Sequence, residues 1–307
     1  MKRLTFENQK EFCYAISPFN KPRIIVDPDE TFIVDTEDAM SGQIRKEGDK
    51  RDYRKAPFTN PLAGPIYVKG AEKGDVLVVE VKDIKQKIEQ GVTLISKWWW
   101  YLGHKPSASI VSEFVESKMP SDYRILPVRN GKIQFGTFYL PYKPMIGTIG
   151  TAPEIESISS YLPSMYGGNM DLPCITKGCK LYLPVKVEGA LLHVGDVHAL
   201  QGEGEISGTA IEMPAEVTLK VGVIKNKEIL WPRIEDSEYL MGVACTGTGR
   251  TLEDTIRIAF VNLVEWMEEY GVEKWDAWMM CCFLGKIILG NIWSVAAGFP
   301  KMYLPKL

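Results

Sequence analysis

The chain has 307 residues, 45% hydrophobic and 24% charged, and its 36 basic and 39 acidic side chains leave a net charge of −3 at neutral pH. Interspersed charge of this balance gives no sign of a polyanion partner, so no nucleic acid is expected, the apolar and charged fractions are those of an ordinary soluble protein, and the length allows a substantial buried core. The six cysteines, at 13, 174, 179, 245, 281 and 282, form no Cys-x-x-Cys knuckle, so neither a disulfide scaffold nor a thiolate zinc site is supported.

Taken in order, the chain begins Met1-Lys2-Arg3-Leu4-Thr5-Phe6-Glu7, without the apolar run of a signal peptide. No stretch approaches the ~20 apolar residues of a membrane helix. The longest candidate, 277–295, is interrupted by Gly285, Lys286, Gly290 and Asn291, and a cytoplasmic protein is expected. Residues 23–34 hold two β-branched stretches around Pro28-Asp29-Glu30, which predicts a hairpin delivering Asp35, Glu37 and Asp38 at its end. Residues 46–55 are a charged loop, and 60–84 give two strands about a glycine-bounded turn. Gly70-Ala71 followed by Gly74-Asp75 recurs as Gly189-Ala190 and Gly195-Asp196, a hint of duplicated β units.

Trp98-Trp99-Trp100-Tyr101 is an aromatic run suited to core or pocket, and His104 follows it as an expected structural imidazole. Residues 132–139 predict a strand and 141–153 a Pro/Gly loop. A small polar segment, 157–164, leads to Gly167-Gly168-Asn169-Met170-Asp171, and 181–192 is strongly strand-like. The stretch 189–212 then gathers His193, His198, Asp196, Glu203, Glu205, Glu212, Gln201 and five glycines, before strand-like alternation resumes over 206–221. Thr251 and Asp254 form a capping-box start for a helix with Leu252, Ile256, Phe260, Leu263 and Met267 at helical spacing, stopped by Gly271. A second helix is expected over 274–284, with aromatic and Met residues of both facing the core, and 291–295 is extended. The fold class predicted is mainly β, sandwich- or barrel-like, in a single domain. Its β-rich body spans about 23–230 and a helix-containing α+β part about 231–307.

The segment Gly195-Asp196-Val197-His198-Ala199-Leu200-Gln201-Gly202-Glu203-Gly204-Glu205, followed by Gly208-Thr209-Ala210-Ile211-Glu212, resembles the signature of the acetamidase/formamidase family. Blocks in the family's order agree with it: Asp38-Ala39 with Ser41-Gly42-Gln43, Asn60-Pro61 with Gly64-Pro65-Ile66-Tyr67-Val68, and Gly167-Gly168-Asn169-Met170-Asp171. The resemblance implies hydrolysis of formamide, acetamide or a related short amide to ammonia and a carboxylate, by a β-rich protein that self-associates as a homodimer or higher homo-oligomer. Two positions depart from the common pattern: Glu203 stands where aspartate is frequent, and Tyr166 precedes the paired glycines.

Amide hydrolysis needs an activated water, a group that stabilises the oxyanion and a proton donor for the leaving amine. A divalent metal supplies the first two. With only three histidines in the chain, a carboxylate-rich site is expected, with Asp38, Asp196 and His198 as metal ligands. Zinc is preferred, and calcium or magnesium equally accept carboxylates. Glu205, with Glu203 beside it, is the candidate general base or acid, while Asn169 and Gln201 are candidates to orient the carboxamide. His193, five residues before His198, is expected to be structural. A thiol-nucleophile amidase at Cys174 or Cys245 and a non-catalytic metal or small-ligand binder remain as alternatives, whereas no Gly-x-Ser-x-Gly elbow supports a serine enzyme.

Overall fold

Strand Ala215–Ile224 carries buried Ala215, Val217, Leu219 and Val221 in alternation with half-buried Glu216, Thr218 and Lys220, the period-two pattern that turns one face of a sheet inward. In this computed structural model, which describes residues 1–7, 11–95, 123–247 and 250–305, that strand lies within a nine-stranded sheet. It pairs antiparallel with Thr31–Asp35 on one side and with the long Val76–Gln86 on the other. The sheet continues through Lys180–Pro184, Arg233–Glu235, Tyr239–Cys245, Ser294–Pro300 and Lys286–Leu289, with Lys2–Leu4 at its other edge. The aromatic run at 98–101 and His104 lie outside the described residues.

A six-stranded sheet runs in the order Pro163–Ser164, Gly167–Asn169, Met145–Gly150, Leu192–His198, Leu62–Val68 and Ile24–Val26. Apolar side chains of both large sheets, among them Phe32, Val79 and Leu219 of the first and Ile66, Ile149 and Val194 of the second, belong to one continuous core. A four-stranded sheet formed by Gln90–Thr93, Arg124–Arg129, Lys132–Phe135 and Phe138–Pro141 stands beside them.

The expected hairpin over 23–34 is not one. Ile24–Val26 joins the six-stranded sheet parallel to Leu62–Val68, whereas Thr31–Asp35 joins the nine-stranded sheet. Local sequence specified the turn, but each strand's apolar face found a different partner. Residues 141–153 contain a fully buried strand, Met145–Gly150, where a loop was expected. Its glycines serve close approach, since a Cβ on Gly150 would stand 2.6 Å from Gly168 N. Conversely, 206–214 is not strand, and regular pairing begins only at Ala215. The two Gly-Ala/Gly-Asp repeats also differ in place, because Gly74-Asp75 forms a turn before its strand while Gly195-Asp196 lies inside one.

Helix α1, Leu252–Glu269, starts where expected, with Thr251 accepting from Asp254 N at 3.2 Å, and Gly271 takes φ +83° beyond its end. It buries Ala259, Leu263, Trp266 and Met267 against the nine-stranded sheet. Helix α2, Lys274–Leu284, departs from the expected core-facing stripe: only Ala277 and Cys281 are buried, and Trp275, Trp278, Met279 and Phe283 are exposed. Among the described residues no helix is long and apolar enough to cross a membrane.

Candidate active site

The site is built on strand Leu192–His198, which lies between Met145–Gly150 and Leu62–Val68 with all seven residues buried. Its pairing with Met145–Gly150 keeps one register on both sides of Asp196, but Asp196 itself has φ +55° and drops out of the ladder opposite Gly147. Asn60, Asp171 and Glu205 share this left-handed conformation, at φ +54°, +47° and +43°. Non-glycine residues seldom adopt it, and such strain collects where surrounding structure holds functional groups in place. Gly147 makes room for two of these groups, since a Cβ there would lie 2.5 Å from Asp171 Oδ1 and 2.6 Å from the Asp196 carbonyl oxygen.

Neutral donors hold one carboxylate oxygen of each of Asp171, Asp196 and Glu212. Asp171 Oδ2 accepts from Asn169 Nδ2 and from Asn291 Nδ2, each at 2.7 Å. Asp196 Oδ2 accepts from Asn60 Nδ2 at 2.7 Å and from the Thr148 hydroxyl at 3.3 Å. Glu212 Oε1 accepts from Ala210 N at 3.0 Å. His198 Nδ1 is 2.8 Å from Gln201 Oε1. The opposite atoms, Asp171 Oδ1, Asp196 Oδ1, Glu212 Oε2 and His198 Nε2, are buried without hydrogen-bond partners. Nε2 lies only 3.4 Å from Asp196 Oδ1 and 3.2 Å from Glu212 Oε2.

Buried acceptors facing one another are unfavourable unless a proton or cation lies between them. No lysine or arginine forms an ion pair with these acids among the described residues. Burial, with the Asp196 charge adding to it, pushes Asp171 up to about 7. Burial likewise pushes Glu212 up to about 8, Asp196 adding to the rise and His198 opposing it. Glu205 is raised well above its ordinary value by burial and then by Asp171. At His198 burial disfavours the imidazolium, yet the charges of Glu212 and Asp196 overrule it and hold the ring well above its usual range. Two sets of groups bring ligand atoms within 4.8 Å of one another, Asp171 with Asp196 and His198, and His198 with Glu205 and Glu212. Mixed imidazole and carboxylate donors of this kind fit a divalent cation.

Asp196, Glu205, Glu212 and Asn169 open into a cavity of about 350 Å³ whose other walls include Tyr53, Phe58, Tyr161 and Trp293. The expected site residues divide here. Asp196, His198 and Glu205 come together, but Asp38 does not join them. Its Oδ1 accepts from Met40 N and Gly42 N, and its Oδ2 is paired with Arg45. Glu203 is exposed and accepts from Leu289 N at 3.1 Å. Asn169 lines the cavity, yet its amide is held by Asp171, Asn60 and Thr148, while Gln201 contacts His198 and two backbone carbonyls. Asp171 and Glu212, which the structure adds to this cluster, were not among the expected site residues, although each ends one of the motif blocks. Their signal was the Asn-x-Asp spacing at 169–171 and the glutamate that closes 208–212. Asn60 and Asn291 arrive from remote segments.

A model of the acetamidase/formamidase family matches residues 16–164 and 160–287. The chain belongs to this family. An acetamidase from Yersinia enterocolitica superposes with a TM-score of 0.88 at 38% identity, covering 99% of this chain and 93% of that one. A formamidase of Methylophilus methylotrophus is 26% identical over 80% of this chain, and an acetamidase of Mycolicibacterium smegmatis 27% identical over 65%. The matched regions span 76% and 63% of those two relatives. The family thus conforms to the mainly β architecture and to the resemblance carried by 195–212.

Proposed function

We propose that this chain hydrolyses a short aliphatic amide of the formamide or acetamide type to ammonia and the corresponding carboxylate. The observation that carries this reading is the convergence of four buried, unpartnered ligand atoms beside a cavity of about 350 Å³, in a member of a small-amide hydrolase family. Asp171, Asp196, His198 and Glu212 would hold a divalent cation, which supplies a Lewis acid that lowers the pKa of water and polarises a carbonyl. The imidazole favours zinc and the three carboxylates suit calcium or magnesium equally well.

Glu205, half-buried and lining the cavity, is the proton carrier. Its raised affinity for protons suits a group that takes one from the attacking water as the C–O bond forms and gives it to the amide nitrogen as the C–N bond breaks. Asn60, Asn169 and Asn291 hold the acids in orientation. Burial pushes the thiols of Cys174 and Cys245 strongly upward, which weighs against a cysteine nucleophile. The exposed rings of α2 offer apolar surface for the self-association expected of the family.

Ammonia release from formamide, acetamide, propionamide and an aromatic amide, before and after chelation with zinc, calcium or magnesium added back, tests the proposal. Turnover of the short amides should vanish on chelation and return with one cation. Activity indifferent to thorough metal removal would overturn the metal assignment, and no ammonia from any amide would overturn the hydrolase reading.

A further inference from the structure

We propose that Gln201 is a positioning residue that fixes the tautomer of His198, keeping the proton on Nδ1 and turning the Nε2 lone pair toward Asp196 and Glu212. The geometry leaves little freedom. Gln201 Nε2 is 2.6 Å from the Asp171 carbonyl oxygen and 3.4 Å from that of Gly290. Carbonyl oxygens only accept, so the amide NH2 must face them. Its Oε1 is then the atom 2.8 Å from His198 Nδ1, and since an amide oxygen also only accepts, Nδ1 is the donor. Nε2, without a hydrogen-bond partner, is presented to Asp196 Oδ1 and Glu212 Oε2.

A neutral amide suits this place better than a carboxylate. Asp171, Asp196, Glu205 and Glu212 already crowd the site, and a fifth carboxyl group behind the ring would face the Asp171 and Gly290 carbonyl oxygens without an amide donor for them. The same side chain also ties the segment after strand Leu192–His198 to Asp171 and to the turn before Asn291. One glutamine therefore sets both the ring's proton and the placement of a second ligand.

The consequence for cation affinity rests on the proposed metal-holding role, but the tautomer does not, and the test separates them. Protein labelled with 15N-histidine is examined by two-bond proton–nitrogen correlation, metal-free at a pH above the His198 titration and again with zinc. His193 is the internal reference, because its Nδ1 donates to the Leu191 carbonyl oxygen at 2.9 Å and its Nε2 accepts from Asn20 Nδ2 at 3.0 Å. In the wild type both rings should carry the proton on Nδ1. Gln201→Met should move the His198 proton to Nε2, leave the His193 signals unchanged, and weaken zinc binding, measured by chelator competition, about 10- to 100-fold. Gln201→Glu, which keeps the acceptor, should keep the proton on Nδ1. A wild-type His198 protonated on Nε2 overturns the proposal, as does Gln201→Met with an Nδ1 proton and wild-type zinc affinity. Should Gln201→Met fail to fold, the wild-type and Gln201→Glu spectra decide. A wild type that binds no zinc would overturn the metal assignment while leaving the tautomer to be judged on the metal-free spectra.

Discussion

His193 and His198 stand five residues apart on one buried strand, and the protein treats them in opposite ways. Each has Nδ1 engaged, with the Leu191 carbonyl oxygen and with Gln201 Oε1 respectively. At Nε2 they differ: His193 meets a neutral amide donor, Asn20, and His198 meets the carboxylates of Asp196 and Glu212. Burial therefore lowers His193 to about 4, with only its carbonyl contact opposing, whereas His198 is raised. Equal burial gives one satisfied core imidazole and one poised group, so what faces the second ring nitrogen decides the role.

The largest test of this contrast is to delete each ring. His198→Ala should lower kcat/KM for the best amide by about 10³-fold or more while the fold persists, because in the proposed site the loss falls on transition-state stabilisation. His193→Ala should instead leave turnover per folded molecule near wild type and destabilise the protein by about 2–4 kcal/mol, since it opens a buried space and orphans two hydrogen-bonding groups. Urea unfolding and ammonia release measured on both variants would expose a reversal.

A substitution on the neighbouring strand comes next. Gly147→Ala sets a methyl group 2.5 Å from Asp171 Oδ1 and 2.6 Å from the Asp196 carbonyl oxygen, so one or both acids must move. A misplacement near 1 Å lowers turnover on the order of 10²-fold. Zinc affinity should fall with it, and unchanged kinetics would show that the frame tolerates displacement.

The pH dependence of stability sharpens the comparison from both sides. His193 binds its proton less tightly folded than unfolded, so its contribution is present above its ordinary pKa and is lost as pH falls from about 6.5 to about 4. This amounts to about 3 kcal/mol, and His193→Gln should flatten that limb. Asp171 and Glu212 bind protons more tightly when folded, so their contribution is full below the ordinary carboxylate range and is lost as pH rises through about 7 and about 8. His198, also raised, loses its contribution in the same direction. Metal-free protein should thus lose melting temperature from about pH 5 to about pH 8, and saturating zinc should abolish that slope by replacing the protons.

The smallest effect belongs to Asn20→Ala, which removes the donor to His193 Nε2 and a bond to the Ala15 carbonyl oxygen. It should lower stability by about 1 kcal/mol and leave zinc affinity unchanged. A change in zinc affinity would mean that the two ends of the strand are coupled.

Much of this molecule was legible in its sequence. Thr251 with Asp254 and the spacing of Leu252, Ile256, Phe260 and Leu263 determined α1, and alternation over 206–221 determined the part of strand Ala215–Ile224 that falls within it but not where that strand begins, because caps and periodicity act within a few residues. The 195–212 motif, through its spacing and the family resemblance, named Asp196, His198 and Glu205, which the fold places close together. Only the tertiary structure decided that Ile24–Val26 and Thr31–Asp35 part to different sheets, and that the glycines of Met145–Gly150 stand in a strand. It also gave Asp38 to Arg45 and brought Asp171, Glu212, Asn60 and Asn291 to His198. A carboxylate's role follows from which donors saturate it and which atoms it faces after burial, and those neighbours come from segments up to 136 residues away, as Asn60 is from Asp196.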